Sequence, residues 1–227
     1  MLEPTLLLAI DTCGPSGSVA LGRLAVGAVE ILGQIELEGR SYSATLVAAV
    51  AELLAHSGVK LNELRAIVAV SGPGSFTGVR VGLSAVKGLA EPARIPVVAV
   101  SRLLVLAGKA GAASAALDAH RNEVFLRVAC PGLPPRELLA GAAELAAINP
   151  APKQVALCDD AAQALLAVAW PTAELIRISA PTAADALSLG VARIQAGEFA
   201  DLELLDGHYL RRSDAEIFGD PAGPRHA

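Results

Sequence analysis

The sequence predicts an α/β protein of two small lobes, each built on a mixed β-sheet with helices. Short apolar runs of strand length alternate with longer helical segments, and glycine- or proline-containing loops separate them. The 227 residues are 53% hydrophobic and 18% charged, which is enough apolar material for a buried core. Only 3% of the residues are aromatic, so small and branched aliphatic side chains must fill that core.

The first lobe opens with a continuous apolar strand and a meander, because two further apolar runs follow across glycines. The predicted elements are strands at 5–11, 17–26 and 28–39, a helix at 42–56, a strand at 65–71, a helix at 77–90 and a strand at 95–100. The second lobe begins with a helix at 102–110, followed by a strand, a polar turn and a strand across 113–130 and a loop at 131–135. Residues 154–197 then alternate strand, helix, strand and helix.

These elements divide the chain into three predicted regions. The first lobe covers 1–103 and the second, smaller lobe covers 104–218, while a disordered tail occupies 219–227.

Composition and motif spacing argue against several classes of protein. The uncharged runs 66–79 and 161–173 are too short to span a membrane, and the amino terminus lacks the basic region of a cleaved signal, so a cytoplasmic protein is expected. The three cysteines are scattered and the four histidines isolated, which predicts neither disulfides nor a metal site. The net charge is -5 and only Arg211 and Arg212 form a basic pair, so any role with RNA should run through a partner protein.

Residues 71–90, SGPGSFTGVRVGLSAVKGLA, place a glycine-rich loop before a helix and invite comparison with phosphate-binding loops. Neither standard motif fits, because Val79 stands where the Walker A motif needs lysine and Thr77 where the dinucleotide motif needs glycine. Two interpretations remain open. Backbone N–H groups at the helix start could bind an anion, or Gly72 and Gly74 could allow positive φ in a turn while Thr77 caps the helix.

Both helices of the first lobe have a smooth face of small residues in addition to an apolar face for the core. In helix 42–56 the smooth face consists of Ala44, Ala48, Ala51 and Ala55. In helix 77–90 it consists of Gly78, Gly82 and Ala85, with Arg80 and Lys87 on the wet side. Such faces can pack within the chain or mark an interface, and we favour a partner surface.

Asp11 ends the first strand and precedes a turn rich in hydroxyl residues and glycine. A carboxylate there can hold Mg²⁺ or a catalytic water while the turn contacts phosphate, or it can stabilise an Asx-type turn. Asp118 and Glu123 could supply a second metal ligand or merely flank a hairpin. The spacing of the chain yields no Ser-His-Asp or Cys-His constellation.

Five segments together resemble the TsaB (YeaZ) family, which belongs to the bacterial system that makes threonylcarbamoyladenosine in transfer RNA. In chain order they are LLLAIDTCGPSGSVAL, SYSATLVAAVAELL, AIVAVSGPGSFTGVRVGLSAVKGLA, ALDAHRNEVF and HYLRRSDAE, and they cover residues 5 to 217. The glycine-loop segment is specific to the family, whereas the Asp-Thr opening is shared by the wider actin-like ATPase superfamily. One departure is Tyr42-Ser43, since the family usually has His-Ser at that point.

The resemblance implies a two-lobe actin-like (ASKHA, ribonuclease-H-like) fold without catalytic activity of its own. It implies a scaffold that binds TsaD, the enzyme that transfers threonylcarbamoyl to the adenosine next to the anticodon. The TsaE ATPase would join through the complex, tRNA would be contacted only indirectly, and homodimers would use the same helices. No intrinsic cofactor or metal is implied, and ATP or ADP has a place at the partner interface. Older names for the group are peptidase M22 and glycoprotease-like.

Periodicity and resemblance together predict an interface on the two helices. The predicted partner-interface residues are Tyr42, Ser43, Ala44, Ala48, Ala51, Ala55, Phe76, Thr77, Gly78, Arg80, Val81, Gly82 and Ala85. The competing hypothesis is a small actin-like ATPase or kinase in which Asp11 and Thr12 bind nucleotide beside the glycine loop. A peptidase has less support, because the sequence has neither a zinc motif nor a nucleophile constellation.

Overall fold

A computed structural model describes residues 5–25, 28–39, 41–130 and 132–211 as two five-stranded sheets with helices. The first sheet and its helices comprise β1 Thr5–Asp11, β2 Ser16–Ala25, β3 Ala28–Glu38, α1 Tyr42–His56, a short 3₁₀ helix Leu61–Glu63, β4 Leu64–Val70, α2 Phe76–Ala93 and β5 Val97–Val100. Its strand order is β3-β2-β1-β4-β5. β1, β2 and β3 pair antiparallel, while β1, β4 and β5 pair parallel.

The second half of the described chain repeats this arrangement. After α3 Arg102–Ala110, which is the third helix of the first repeat, it comprises β6 Ala115–Asp118, β7 Val124–Val128, β8 Arg136–Ala140, α4 Ala142–Ala147, β9 Gln154–Leu157, α5 Asp160–Ala169, β10 Glu174–Arg177 and α6 Ala183–Ala196. The strand order is β8-β7-β6-β9-β10, with β6, β7 and β8 antiparallel and β6, β9 and β10 parallel. The two lobes are therefore two copies of one ribonuclease-H-like unit: three antiparallel strands, then helix, strand, helix, strand, helix.

β8 and α4 were not assigned from the sequence, and their absence hid this duplication. β8 has five residues with an exposed start, and α4 has six, so neither is long enough to show a period. The longer predicted elements are confirmed, with shifts of a few residues at their ends. The predicted tail 219–227 and the second half of HYLRRSDAE lie outside the described residues.

The third helix of each repeat packs on the other repeat's sheet. α6 lies against all five strands of the first sheet, α3 lies against β6, β7 and β9, and the two helices contact each other. Gly190 allows the close approach of α6, because a Cβ there would overlap the Val68 side chain of β4. A boundary at residue 103 therefore separates the two sheets along the chain. It does not separate the two hydrophobic cores, because α6 lies after the boundary and packs in the core of the first sheet.

The first sheet is covered on both faces, which explains the continuous apolar run of β1. Neighbouring residues of a strand point to opposite faces. On β3, Gly33 lies against Leu53 of α1, whereas Gln34 accepts a hydrogen bond from the Ala184 backbone of α6. α1 and α2 thus cover one face of the sheet and α6 covers the other. No helix within the described ranges is long and apolar enough to cross a membrane.

Candidate functional site

The exposed side of α1 is an apolar face made of small residues. Leu46, Val50, Leu53 and Leu54 are buried against the sheet. The outer face of α1 is defined by Ser43, Ala44, Val47, Ala48, Ala51 and Ala55, all of them exposed. Val47 is 57% exposed although it is aliphatic. The sequence prediction of a second smooth face on this helix is therefore confirmed, with Val47 added to it.

The small-residue stripe predicted on α2 is wrong for its two glycines. Gly78 and Gly82 are buried, and a Cβ on either would overlap Thr12 of the same chain, at its carbonyl oxygen and its Oγ1 respectively. Thr12 Oγ1 also donates a 2.7 Å hydrogen bond to the Gly78 carbonyl. These glycines bring α2 close to the end of β1 and do not make room for another helix. Gly88 on the same helix has open space around it.

Tyr42 is also buried and does not contribute to the exposed surface. Its hydroxyl donates a 2.9 Å hydrogen bond to the Gly14 carbonyl, and its ring fills the space beside Gly17. Burial, together with the nearby Asp11 carboxylate, raises the pKa of Tyr42 to about 12, so the phenol is neutral. Of the other predicted residues, Thr77 and Arg80 are exposed, whereas Phe76, Val81 and Ala85 are half-buried.

Other segments of the same chain occupy the space beside the glycine-rich loop. Gly72 has φ +110° and lies against the backbone of His208, so a positive φ is confirmed there. Gly74 is needed for a different reason, because a Cβ would overlap the Cys13 carbonyl. The helix cap is Ser75 and not Thr77, since Ser75 Oγ accepts from the Gly78 N–H at 3.2 Å.

Asp11 forms an Asx-type turn and a buried ion pair. Its Oδ1 accepts from the Cys13 N–H at 2.8 Å, and its Oδ2 lies 3.3 Å from Arg102 Nε. The two side chains are only 2% and 6% exposed. Burial disfavours the charged guanidinium, but the Asp11 carboxylate outweighs burial and raises the pKa of Arg102. Direct contact of Asp11 or Thr12 with a nucleotide would therefore require this part of the structure to open.

Two cysteines lie beside this pair, and both are neutral thiols. Burial raises the pKa of Cys13 well above its ordinary range, and its Sγ lies 3.3 Å from the Val70 carbonyl. Burial also raises the pKa of Cys158. Since the thiolate is the reactive form of cysteine, this environment does not activate either residue.

A cleft of about 1300 Å³ separates the lobes in front of the glycine loop. Its walls carry more apolar than polar side chains, among them Phe76, Leu117, Phe125 and Tyr209. Asp118 accepts from the His120 N–H at 2.8 Å and so stabilises the β6–β7 hairpin. The turn has three successive residues with φ near +60°, from 120 to 122. Within the described residues, no group of three or more metal-binding side chains is present.

The C-terminal strap, residues 198–211, contains neither helix nor strand and crosses between the lobes, a path that the sequence pattern does not predict. Ala200 N–H donates to the Val97 carbonyl of β5, and His208 N–H donates to the Ser71 carbonyl after β4. The strap ends on the second lobe, where Arg211 pairs with Glu123 of the β6–β7 hairpin. Glu123 thus flanks a hairpin, as one of the two interpretations of the sequence had it.

Glu137 on β8 joins the strap to the hinge between the lobes. It accepts from Ser101 Oγ at 2.6 Å, and it lies 3.2 Å from Arg127 and 2.9 Å from His208 Nε2. Burial alone would raise the pKa of this carboxyl. The hydrogen bonds from His208 and Ser101, with the charge of Arg127, outweigh burial and lower the pKa of Glu137. Ser101 also caps α3.

Two repeated lobes with exchanged third helices and a cleft between them define a two-lobe α/β protein of the actin-like class. A family model for TsaD, tRNA N6-adenosine threonylcarbamoyltransferase, matches residues 31–129. The tRNA threonylcarbamoyladenosine biosynthesis protein TsaB of Haemophilus influenzae is 40% identical over 125 residues. That match covers 52% of this chain and 51% of the relative, about half of each.

Solved structures extend the similarity over most of the chain. A Pseudomonas aeruginosa protein described as similar to the peptidase YeaZ is 30% identical with a TM-score of 0.72, covering 91% of this chain and 100% of that one. YeaZ from Pseudomonas aeruginosa is 28% identical with a TM-score of 0.68 over the same shares. The chain belongs to the TsaB (YeaZ) family.

Proposed function

We propose that this chain is a non-catalytic scaffold subunit in the formation of threonylcarbamoyladenosine at the adenosine next to the anticodon of tRNA. Its direct partner is a TsaD-type catalytic subunit, a TsaE-type ATPase joins through that complex, and tRNA is contacted only indirectly. A second copy of the chain competes for the same surface. Family membership and the TsaB relatives support the pathway.

The observation that carries this proposal is the outer face of α1. It presents four alanines and Val47 to solvent over the helix's length, beside the exposed Thr77 and half-buried Ala85 of α2. Small side chains allow two helices to approach closely, and a contiguous exposed apolar face is typical of an interface. Association of α1 and α2 with helices of a partner would bury this exposed apolar face.

The structure gives less support to a small ATPase or kinase. Asp11 is neutralised by Arg102, and Cys13 and Thr12 occupy the space beside Gly74 and Gly78. ATP or ADP at the interface with the partner stays part of the proposal, with no cofactor intrinsic to the chain. We therefore expect Asp11→Asn to leave the rate of ATP hydrolysis by the isolated chain unchanged.

Ala48→Glu tests the interface. The variant places a charge in the centre of the outer face of α1 without touching the core, so it should abolish association with the TsaD-type subunit and with a second copy. Ala164→Glu is the matched control, because Ala164 is an exposed alanine in the middle of α5. Sedimentation velocity of the mixed full-length proteins measures association, and thermal unfolding checks that both variants are folded. Unchanged association of Ala48→Glu would refute the interface.

A further inference from the structure

Arg80 is an exposed cation that lies over one aromatic ring and near a second. Its guanidinium carbon lies 3.8 Å from the centre of the Phe76 ring and 6.0 Å from the centre of the Tyr209 ring. Phe76 is one helical turn before Arg80 on α2, and the two rings themselves are 4.9 Å apart at an angle of 44°. Stacking on aromatic faces restricts a side chain that is otherwise among the most mobile.

Tyr209 reaches this cluster from the other end of the chain. It belongs to the C-terminal strap, whose preceding residue, His208, is fixed by its backbone bond to Ser71. Gly207 lets the strap turn here, since a Cβ would overlap the Tyr209 ring and Val79. The Tyr209 hydroxyl is buried and has no hydrogen-bond partner within the described residues. The ring of Tyr209 and not its hydroxyl therefore accounts for its contact with Arg80.

No carboxylate among the residues that the structure describes balances the charge of Arg80. Within the described part of the chain, no ion pair or hydrogen bond engages its guanidinium, and the first turn of α2 contains no acidic residue. Some other arginines of the described chain are paired, such as Arg23 with Glu30 and Arg127 with Glu137. A stacked guanidinium keeps its in-plane N–H groups free, in the fork geometry that matches a carboxylate.

We propose that Arg80, held by Phe76 and Tyr209, binds a carboxylate of the partner at the edge of the α1–α2 surface. This inference rests on the proposed function, since Arg80 lies on α2 beside Thr77 of the same surface. The ordered guanidinium loses little further freedom on binding, which favours a specific contact at this point. Tyr209 is a positioning residue that acts through Arg80. Through Tyr209, the strap thereby contributes to an interface that α1 and α2 of the first lobe form.

Arg80→Gln and Arg80→Lys test the contact, with Arg65→Gln as the matched control. Arg65 is an exposed arginine near the start of β4, at the opposite end of that strand from the beginning of α2 that carries Arg80, so its replacement removes the same charge from a different site. Calorimetric titration of the full chain with the TsaD-type subunit should show Arg80→Gln binding at least about tenfold more weakly. Arg80→Lys should be intermediate, because lysine keeps the charge but loses the fork. The affinity of wild type should also fall more with added salt than that of Arg80→Gln.

Tyr209→Phe and Tyr209→Ala test the positioning role. Tyr209→Phe keeps the ring and should bind as wild type, whereas Tyr209→Ala should weaken binding in the wild-type background but not in the Arg80→Gln background. A full effect of Tyr209→Ala in both backgrounds would overturn the positioning role. This cycle distinguishes action through Arg80 from a general loss of structure, which thermal unfolding also reports.

The outcomes separate this inference from the proposed function. If Ala48→Glu abolishes binding while Arg80→Gln binds like Arg65→Gln, the interface stands and the role of Arg80 is refuted. If the wild-type chain itself does not bind the TsaD-type subunit, the proposed function fails. If Arg80→Gln and Ala48→Glu both weaken binding and Arg65→Gln does not, both proposals are supported.

Discussion

At the scale of single residues, Asp11 shows how one side chain can satisfy two structural demands. Its carboxylate closes the turn after β1 and neutralises Arg102, the first residue of α3. The pair thereby joins the first sheet to a helix of the other lobe. An ion pair buried to this degree is costly to break, because the remaining charge has neither water nor a partner.

Arg102→Met should lower the free energy of unfolding by about 3–5 kcal/mol, since it leaves the Asp11 carboxylate buried and unpaired. Asp11→Asn combined with Arg102→Met should recover part of this loss, because Asn can still accept from the Cys13 N–H. Urea unfolding at neutral pH measures all three proteins. Arg65→Met is the control, since it removes an exposed arginine. A wild-type unfolding midpoint for Arg102→Met would contradict the structural role of the pair.

At the scale of elements, α2 shows why a smooth helix face is ambiguous in sequence. Glycines at the border of the core face of a helix can be covered by another chain or by a neighbouring segment of the same chain. The spacing of small residues in the sequence is the same in both cases. Here the turn after β1 covers Gly78 and Gly82, whereas Gly88 remains open. Sequence periodicity does not indicate this contact, because Thr12 is 66 positions from Gly78.

Gly82→Ala and Gly88→Ala form a matched pair on α2. Gly82→Ala should destabilise the protein by about 1–3 kcal/mol, because the new methyl group overlaps Thr12 Oγ1 and overpacks the core. Gly88→Ala should stabilise it by roughly 0.5–1 kcal/mol through helix propensity, since its surroundings are empty. Urea midpoints of the two variants measure the difference. Equal midpoints would show that the close approach of α2 to Thr12 is not required.

At the scale of the whole molecule, the lobes are connected by more than the chain crossing between them. α3 and α6 exchange sheets, the strap crosses the front of the cleft, and Glu137 joins β8 to the α3 cap and the strap. Each of these contacts bridges segments that are far apart in sequence. The relative position of the lobes therefore depends on the packing of the exchanged helices and on the strap, as well as on polar groups at the hinge.

Glu137→Gln should flatten the dependence of stability on acid pH. The pKa of Glu137 is lower in the folded chain than its ordinary value, so its charged form is favoured by folding. This stabilisation is present above the unfolded pKa of roughly 4.3 and is lost as the pH falls through the lowered folded-state pKa. The wild type should thus be more stable than Glu137→Gln at neutral pH, and the gap should close in acid.

Urea unfolding of both proteins at a series of pH values from neutral to acid measures this gap. Glu36→Gln provides the control, because Glu36 is an exposed glutamate on β3 and should leave the profile of the wild type unchanged. A gap that is constant across the acid range would show that Glu137 is not favoured in its charged form by folding.

The sequence by itself determined the strands other than β8, the long helices, the two-lobe class and the outer face of α1. These follow from local periodicity, which depends only on neighbours within one element. The sequence also predicted the faces of α1 and α2 that pack in the core. It predicted the Asx-type turn at Asp11 as one of two alternatives.

Only the tertiary structure decided the remainder. It showed the duplication through β8 and α4, the exchange of α3 and α6, the burial of Tyr42, Gly78 and Gly82, and the strap. The physical reason is common to all of them: each depends on which distant segment fills a given space, and one chain's pattern of apolar and small residues does not specify that neighbour. The same limit explains why the sequence predicted Arg80 as an interface residue but not the ring of Tyr209 beside it.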